Sequence, residues 1–412
     1  MNCFVVMLFI AFLIYINMII KKSTLNVAQG QNIIWFIAYA LYSINYFDYY
    51  KISNWVCVLS IVYLVAFNFA YLCLCGKSRL AFNENNLSLL KQSTISKRKE
   101  RKIIYSSILS WIIAIPLLKK SIPILSQYGM LKMRWILYGE TTFFSGLDMC
   151  IISYILRPIA IVAIIYMAEQ IAIKNIKKKI VGVVLLDVFL LVFLTAGRAL
   201  LQQLVIYVVL VIIVIYRANI KRILHEYKKY LFPAILILGI VLAVSAQRIS
   251  RNNGIIKEAM IYLFSSMPYL TALINVGYAA PQYSIAGYTL SFVIQPIELI
   301  LQILGVNINL KYDLSSVTSN LMQIGANANM NAVGSTLLPF YLDIGIIGVI
   351  IYGIILALFM KYIEKQLSKK YNTLSFAKYL FLVNGIFLSI QNYSFDGTAT
   401  FATWVLICIL LR

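Results

Sequence analysis

Long apolar runs dominate this chain, and residues 180–196 and 205–216 are two of them. A bilayer core takes roughly 20 apolar residues per helix. In lipid, a spanning segment must satisfy its backbone polar groups within a helix or a closed barrel. Barrel strands alternate polar and apolar residues at period two, and these runs do not. The chain is therefore expected to be an all-α polytopic membrane protein. Composition points the same way. Of the 412 residues, 62% are hydrophobic and 12% are charged, against roughly 25% charged in a soluble domain. A soluble globular protein and a disordered one are both excluded.

Hydropathy places about eleven transmembrane helices, at 2–20, 31–49, 54–75, 103–118, 148–171, 180–197, 199–216, 230–247, 337–360, 376–392 and 398–412. The first has no basic start and ends at Lys21 and Lys22, so it reads as a span rather than a signal peptide. The net charge is +22. In a soluble domain that balance would point to nucleic acid; here its placement decides for no nucleic acid. Of 36 Lys and Arg, 25 fall at Lys21–Lys22, in segments 77–102, 174–179, 217–229 and 361–378, and at Arg412. Cytoplasmic connections carry such an excess. The N-terminus is then expected outside and the C-terminus in the cytoplasm.

The organisation becomes helices one to eight over 1–247, one large external loop over 248–336, and helices nine to eleven over 337–412. The loop holds two apolar stretches, 261–278 and 288–304, interrupted by Pro268, Pro281 and Pro296. Re-entrant or interfacial helices are expected there. The 119–147 segment is expected to be an external connection, although it carries Lys119, Lys120, Lys132 and Arg134.

Few side chains offer chemistry. The single histidine, His225, lies in the basic 217–229 segment, which leaves no external His as a hydrolase base. The six cysteines fall in or beside apolar runs, and Cys73 with Cys75 lacks the spacing of a zinc site. No Gly-rich phosphate loop of the GxxxxGK type occurs. Neither metal nor cofactor is expected. What remains is a set of external-side arginines. Arg198 ends the Thr195-Ala196-Gly197-Arg198 turn, Arg248 and Arg251 follow the eighth span, and Arg157 precedes Pro158 inside the fifth. Arg157 sits about nine residues, or ~13 Å, below the external end at 1.5 Å per residue. Guanidinium forks bind phosphate oxygens bidentately and stay charged in a partly dry site. The plainer readings are a capping turn for Arg198, surface charge for Arg248 and Arg251, and a pair with Asp187 for Arg157.

Among the acids, Asp343 ranks first as a proton acceptor, because it stands at the external start of the ninth span. Helix capping is its plainer reading. Glu258, Glu298 and Asp313 lie in the loop and Asp396 in a short outer turn. Asn327, Asn329 and Asn331 read first as turn formers. Tyr262, Tyr269, Tyr278, Tyr283 and Tyr288 could line a sugar-sized groove.

The order of parts resembles the Wzy-type O-antigen and capsule oligosaccharide repeat-unit polymerases. The likeness lies in the Thr195–Arg198 turn, Arg248 at the start of the loop, the loop's place before the last three spans, and the Pro339–Gly348 stretch PFYLDIGIIG. It implies a glycosyltransferase-C-like bundle in a bacterial cytoplasmic membrane. It also implies an undecaprenyl-diphosphate-linked glycan donor and acceptor, with a chain-length regulator and a flippase as partners. Arg198, Arg248, Arg251 and Arg157 would hold the diphosphate and Asp343 would take the acceptor proton. The related O-antigen ligases use a histidine in a comparable loop, and this chain has none there. The alternative is a lipid-linked oligosaccharide flippase or other secondary transporter, which would favour internal repeats; none is evident.

Overall fold

The structure is a computed structural model that describes residues 3–21, 26–74, 84–138, 144, 146–195, 197, 199–216, 261, 263–284, 286–306, 314–326, 328–331, 334–395 and 397–412. The protein is an all-α membrane protein with one small hairpin among its described residues. Six helices are long and apolar enough to cross a membrane.

In chain order the first nine helices are α1 (Cys3–Lys21), α2 (Val27–Ser43), α3 (Asn54–Phe69), α4 (Glu84–Thr94), α5 (Lys97–Tyr138), α6 (Gly146–Ile151), α7 (Arg157–Ala172), α8 (Lys178–Thr195) and α9 (Ala199–Tyr216). Then come α10 (Ser266–Val276), α11 (Ser291–Ile303), α12 (Leu314–Thr318), the antiparallel pair β1 (Met322–Gly325) and β2 (Ala328–Met330), α13 (Leu337–Lys369), α14 (Thr373–Phe387) and α15 (Thr398–Leu410). The expected eighth span, 230–247, lies outside the described residues.

Local chemistry sets several boundaries. Asn26 caps α2 by accepting from Gln29 N at 2.9 Å, and Ser53 caps α3 by accepting from Val56 N at 3.2 Å. The second span was expected to reach residue 49, but α2 stops at Ser43. Asn45 and Asp48 there take positive φ, which short polar side chains tolerate. Conversely, α5 runs well past the expected end at 118. It carries Pro116 and Pro123 and breaks at Gly129, so much of the expected external connection is helix. A π-helical turn, Ile152–Leu156, precedes Arg157 and Pro158. Proline lacks the N–H that an unbroken helix would need there.

The chain forms two compact units. The first comprises 1–79, 256–365 and 382–398; the second comprises 80–255, 366–381 and 399–412. The first unit has an aromatic core that runs through Trp35, Tyr63, Phe67 and Phe340. Polar side chains are stitched into it. Gln31 Nε2 donates to Tyr63 Oη at 2.7 Å and to Ser389 Oγ at 3.1 Å, and Trp35 Nε1 donates to Ser389 Oγ at 3.0 Å. Asn68 Oδ1 accepts from Asn17 at 2.8 Å and from Asn32 at 2.9 Å. With no water in the bilayer core, such groups must find partners on neighbouring helices. In the second unit, α7 packs against α5, α8 and α9.

Candidate functional site

The expected large loop is folded where it is described. In the first unit α10 packs on α3 and β1. Tyr269 Oη donates to the carbonyls of Thr318 at 2.9 Å and Asn320 at 2.8 Å, and burial pushes its phenol up to about 12. It therefore remains a donor at neutral pH. The turn between α2 and α3 joins this layer. Tyr50 N donates to Ile324 O at 2.8 Å, and Ser53 N donates to Thr271 Oγ1 at 3.2 Å.

Asp343 sits at the centre of the arrangement, fully buried. Directly after it α13 breaks, at Ile344 (φ −139°) and Gly345 (φ 63°). Glycine is suited to that left-handed position. The carboxylate accepts three hydrogen bonds from the 284–289 segment. Ser284 Oγ donates to Oδ1 at 2.7 Å, Tyr288 N to Oδ1 at 2.9 Å, and Thr289 N to Oδ2 at 2.9 Å. Gln282 N also donates to Leu342 O at 2.7 Å. On the far side Tyr393 Oη donates to Thr289 O at 2.5 Å. A carboxylate offers about four lone-pair directions, so three are taken by buried donors. The geometry is that of an anchor which ties the turn before α11 to the break in α13. Within that turn Tyr283 and Ala286 both hold positive φ. Non-glycine residues keep such a backbone only where the surroundings over-determine it.

Of the arginines, Arg198, Arg248 and Arg251 lie outside the described residues, as do Glu258, Asp313, Asp396, His225, Asn327 and Tyr262. Arg157 is described and exposed at the start of α7. Asp187, on the other hand, is buried and accepts from Ser107 Oγ at 2.7 Å and Trp111 Nε1 at 2.6 Å. The plainer reading of Arg157, a pair with Asp187, therefore does not hold: Asp187 instead bridges α8 to α5. Of the loop tyrosines, Tyr269 and Tyr288 are buried while Tyr278 and Tyr283 face outward, so these four do not share one groove. Among the described residues no group of three or more His, Cys, Asp or Glu could hold a metal ion.

Ser284, Thr289 and Tyr393 were not foreseen. Their only sequence signal is that each is a polar residue beside an apolar stretch. Comparison of the chain with family models, with curated proteins and with solved structures finds no match.

Proposed function

We propose that this chain polymerises undecaprenyl-diphosphate-linked oligosaccharide repeat units at the external face of a bacterial cytoplasmic membrane. In this reading eleven spans carry a large external loop between the eighth and ninth. The observation that carries it is the Asp343 anchor. The described part of the expected loop packs as a layer that Asp343, Ser284 and Thr289 tie to the break in α13, which supports a built site there. The grouping of residues 49–53, 266–290, 322–330 and 393 through hydrogen bonds supports their assignment to one face.

The reaction breaks the bond between the donor's anomeric carbon and its diphosphate. It forms a bond from that carbon to a hydroxyl of the acceptor unit. The hydroxyl proton is lost and undecaprenyl diphosphate leaves. Negative charge grows on the leaving diphosphate, and preplaced guanidinium groups stabilise it. Arg198 and Arg248 take that role, with Arg251 and Arg157 as further contacts. Asp343, first in rank from sequence as the proton acceptor, here receives a positioning role, because its oxygens are already engaged. The proton acceptor is then sought among Glu258, Glu298, Asp313 and Asp396.

Purified protein reconstituted with a synthetic lipid-diphosphate repeat unit tests the reading. A ladder of polymer on a gel is expected. No ladder, together with movement of the lipid-linked sugar across vesicles, would make the protein a transporter instead.

A further inference from the structure

The second unit contains a cavity of about 750 Å³, within the roughly 300–1,000 Å³ range of small-molecule sites. Four helix ends meet at it: the start of α5, the end of α13, the start of α14 and the end of α15. Lys99, Lys369 and Lys370 fall in the two basic segments, 77–102 and 361–378, expected on one side of the membrane. Lys99, Lys369, Lys370 and Arg412 line the cavity, and no acid does among the described residues. Lys102 and Lys370 stand close enough to Lys99 to repel it. Glu169 attracts Lys99 but is fully buried and accepts a hydrogen bond from Thr94 Oγ1. Lys99 Nζ donates to Ser93 Oγ at 2.9 Å. Lys369, Lys370 and Arg412 make no ion pair among the described residues.

The helix ends roughly offset one another, since the starts of α5 and α14 face the ends of α13 and α15, so the four basic side chains carry the positive potential. Asn372, a lining residue, caps α14 by accepting from Ser375 N at 2.8 Å, and Ser93 Oγ accepts from Thr373 N at 3.1 Å. Leu89, Leu374 and Leu411 form an apolar part of the same wall. Cations beside leucines match a phosphate group joined to acyl chains.

We infer that this cavity binds the phosphate of an anionic lipid headgroup. The site does not depend on the polymerase reading; it needs only a bilayer around the chain.

Native mass spectrometry of the full chain tests it, after exchange into nanodiscs of phosphatidylcholine with or without phosphatidylglycerol. One retained phosphatidylglycerol is expected per chain. The double variant Lys369→Gln/Lys370→Gln should lower its retention about 10-fold or more, since each basic residue near the surface attracts anionic lipid. Arg412→Gln, beyond the last helix, should lower it less. The control Lys178→Gln/Lys179→Gln removes two charges outside the cavity and should retain the lipid as the parent does. Circular dichroism and gel filtration confirm that each variant is folded. Equal loss in both double variants would reduce the effect to general surface charge and overturn the site. Displacement of the lipid by millimolar inorganic phosphate would make the cavity a free-phosphate site and overturn the lipid assignment. Equal retention of phosphatidylcholine and phosphatidylglycerol would overturn it as well.

Discussion

Thr289 hangs from Asp343: its backbone N–H donates to Oδ2 at 2.9 Å, while its own carbonyl accepts from Tyr393 Oη at 2.5 Å. One residue of the loop is thus held from both sides, by a broken helix and by the segment after α14. The two contacts span 54 and 104 residues of chain, so the turn before α11 depends on partners far away in sequence.

Asp343→Asn separates anchoring from proton transfer. The amide replaces one acceptor oxygen with a donor that faces a backbone N–H. A hydrogen bond to a charged group contributes about 1.5–3 kcal/mol, so a loss of about that size is expected, read as a lower melting temperature and faster proteolysis of 277–290. Polymer yield should fall along with it. Unchanged melting with at least a ~100-fold slower reaction would return Asp343 to the role of base.

The diphosphate clamp predicts that Arg198→Ala and Arg248→Ala each abolish polymer in protein that still inserts. Replacement by Lys should also fail substantially, because an ammonium lacks the planar fork. Arg251→Ala should be milder. Polymer of parental length in both Arg198→Ala and Arg248→Ala rules the clamp out.

Gly348 tests the packing around the break in α13. A Cβ built there would overlap the carbonyl oxygen of Phe340, eight residues earlier, whereas one at Gly182 in α8 meets nothing within 4 Å. Gly348→Ala should therefore cost about 1–3 kcal/mol of overpacking and lower the yield of monodisperse protein. Gly182→Ala should be neutral or stabilising by up to about 1 kcal/mol. Equal yields would rule out the close approach of Gly348 to Phe340 O.

Topology is read by cysteine labelling in a background without native cysteines. Ser316→Cys should react with an impermeant reagent from outside, and Ser96→Cys only after permeabilisation. The reverse pattern would move the proposed active site to the other face and end the polymerase reading.

What the amino-acid sequence determined by itself was the class and most of the helices. Apolar runs such as 199–216 must form helices in lipid, because each backbone hydrogen bond then closes within its own segment; α9 spans Ala199–Tyr216. Helices were expected within the apolar stretches 261–278 and 288–304 as well, and α10 and α11 lie there. Tertiary structure alone decided which polar groups meet. Asp187 reads from sequence as a partner for Arg157, yet it takes Ser107 and Trp111. Asp343 reads from sequence as a proton acceptor or a helix cap, yet it lies buried and accepts from Ser284, Tyr288 and Thr289. A helix needs only its own residues, so its rule is local. A buried polar side chain takes whichever donor the packing of other helices brings within about 3 Å, and no sequence spacing records that choice.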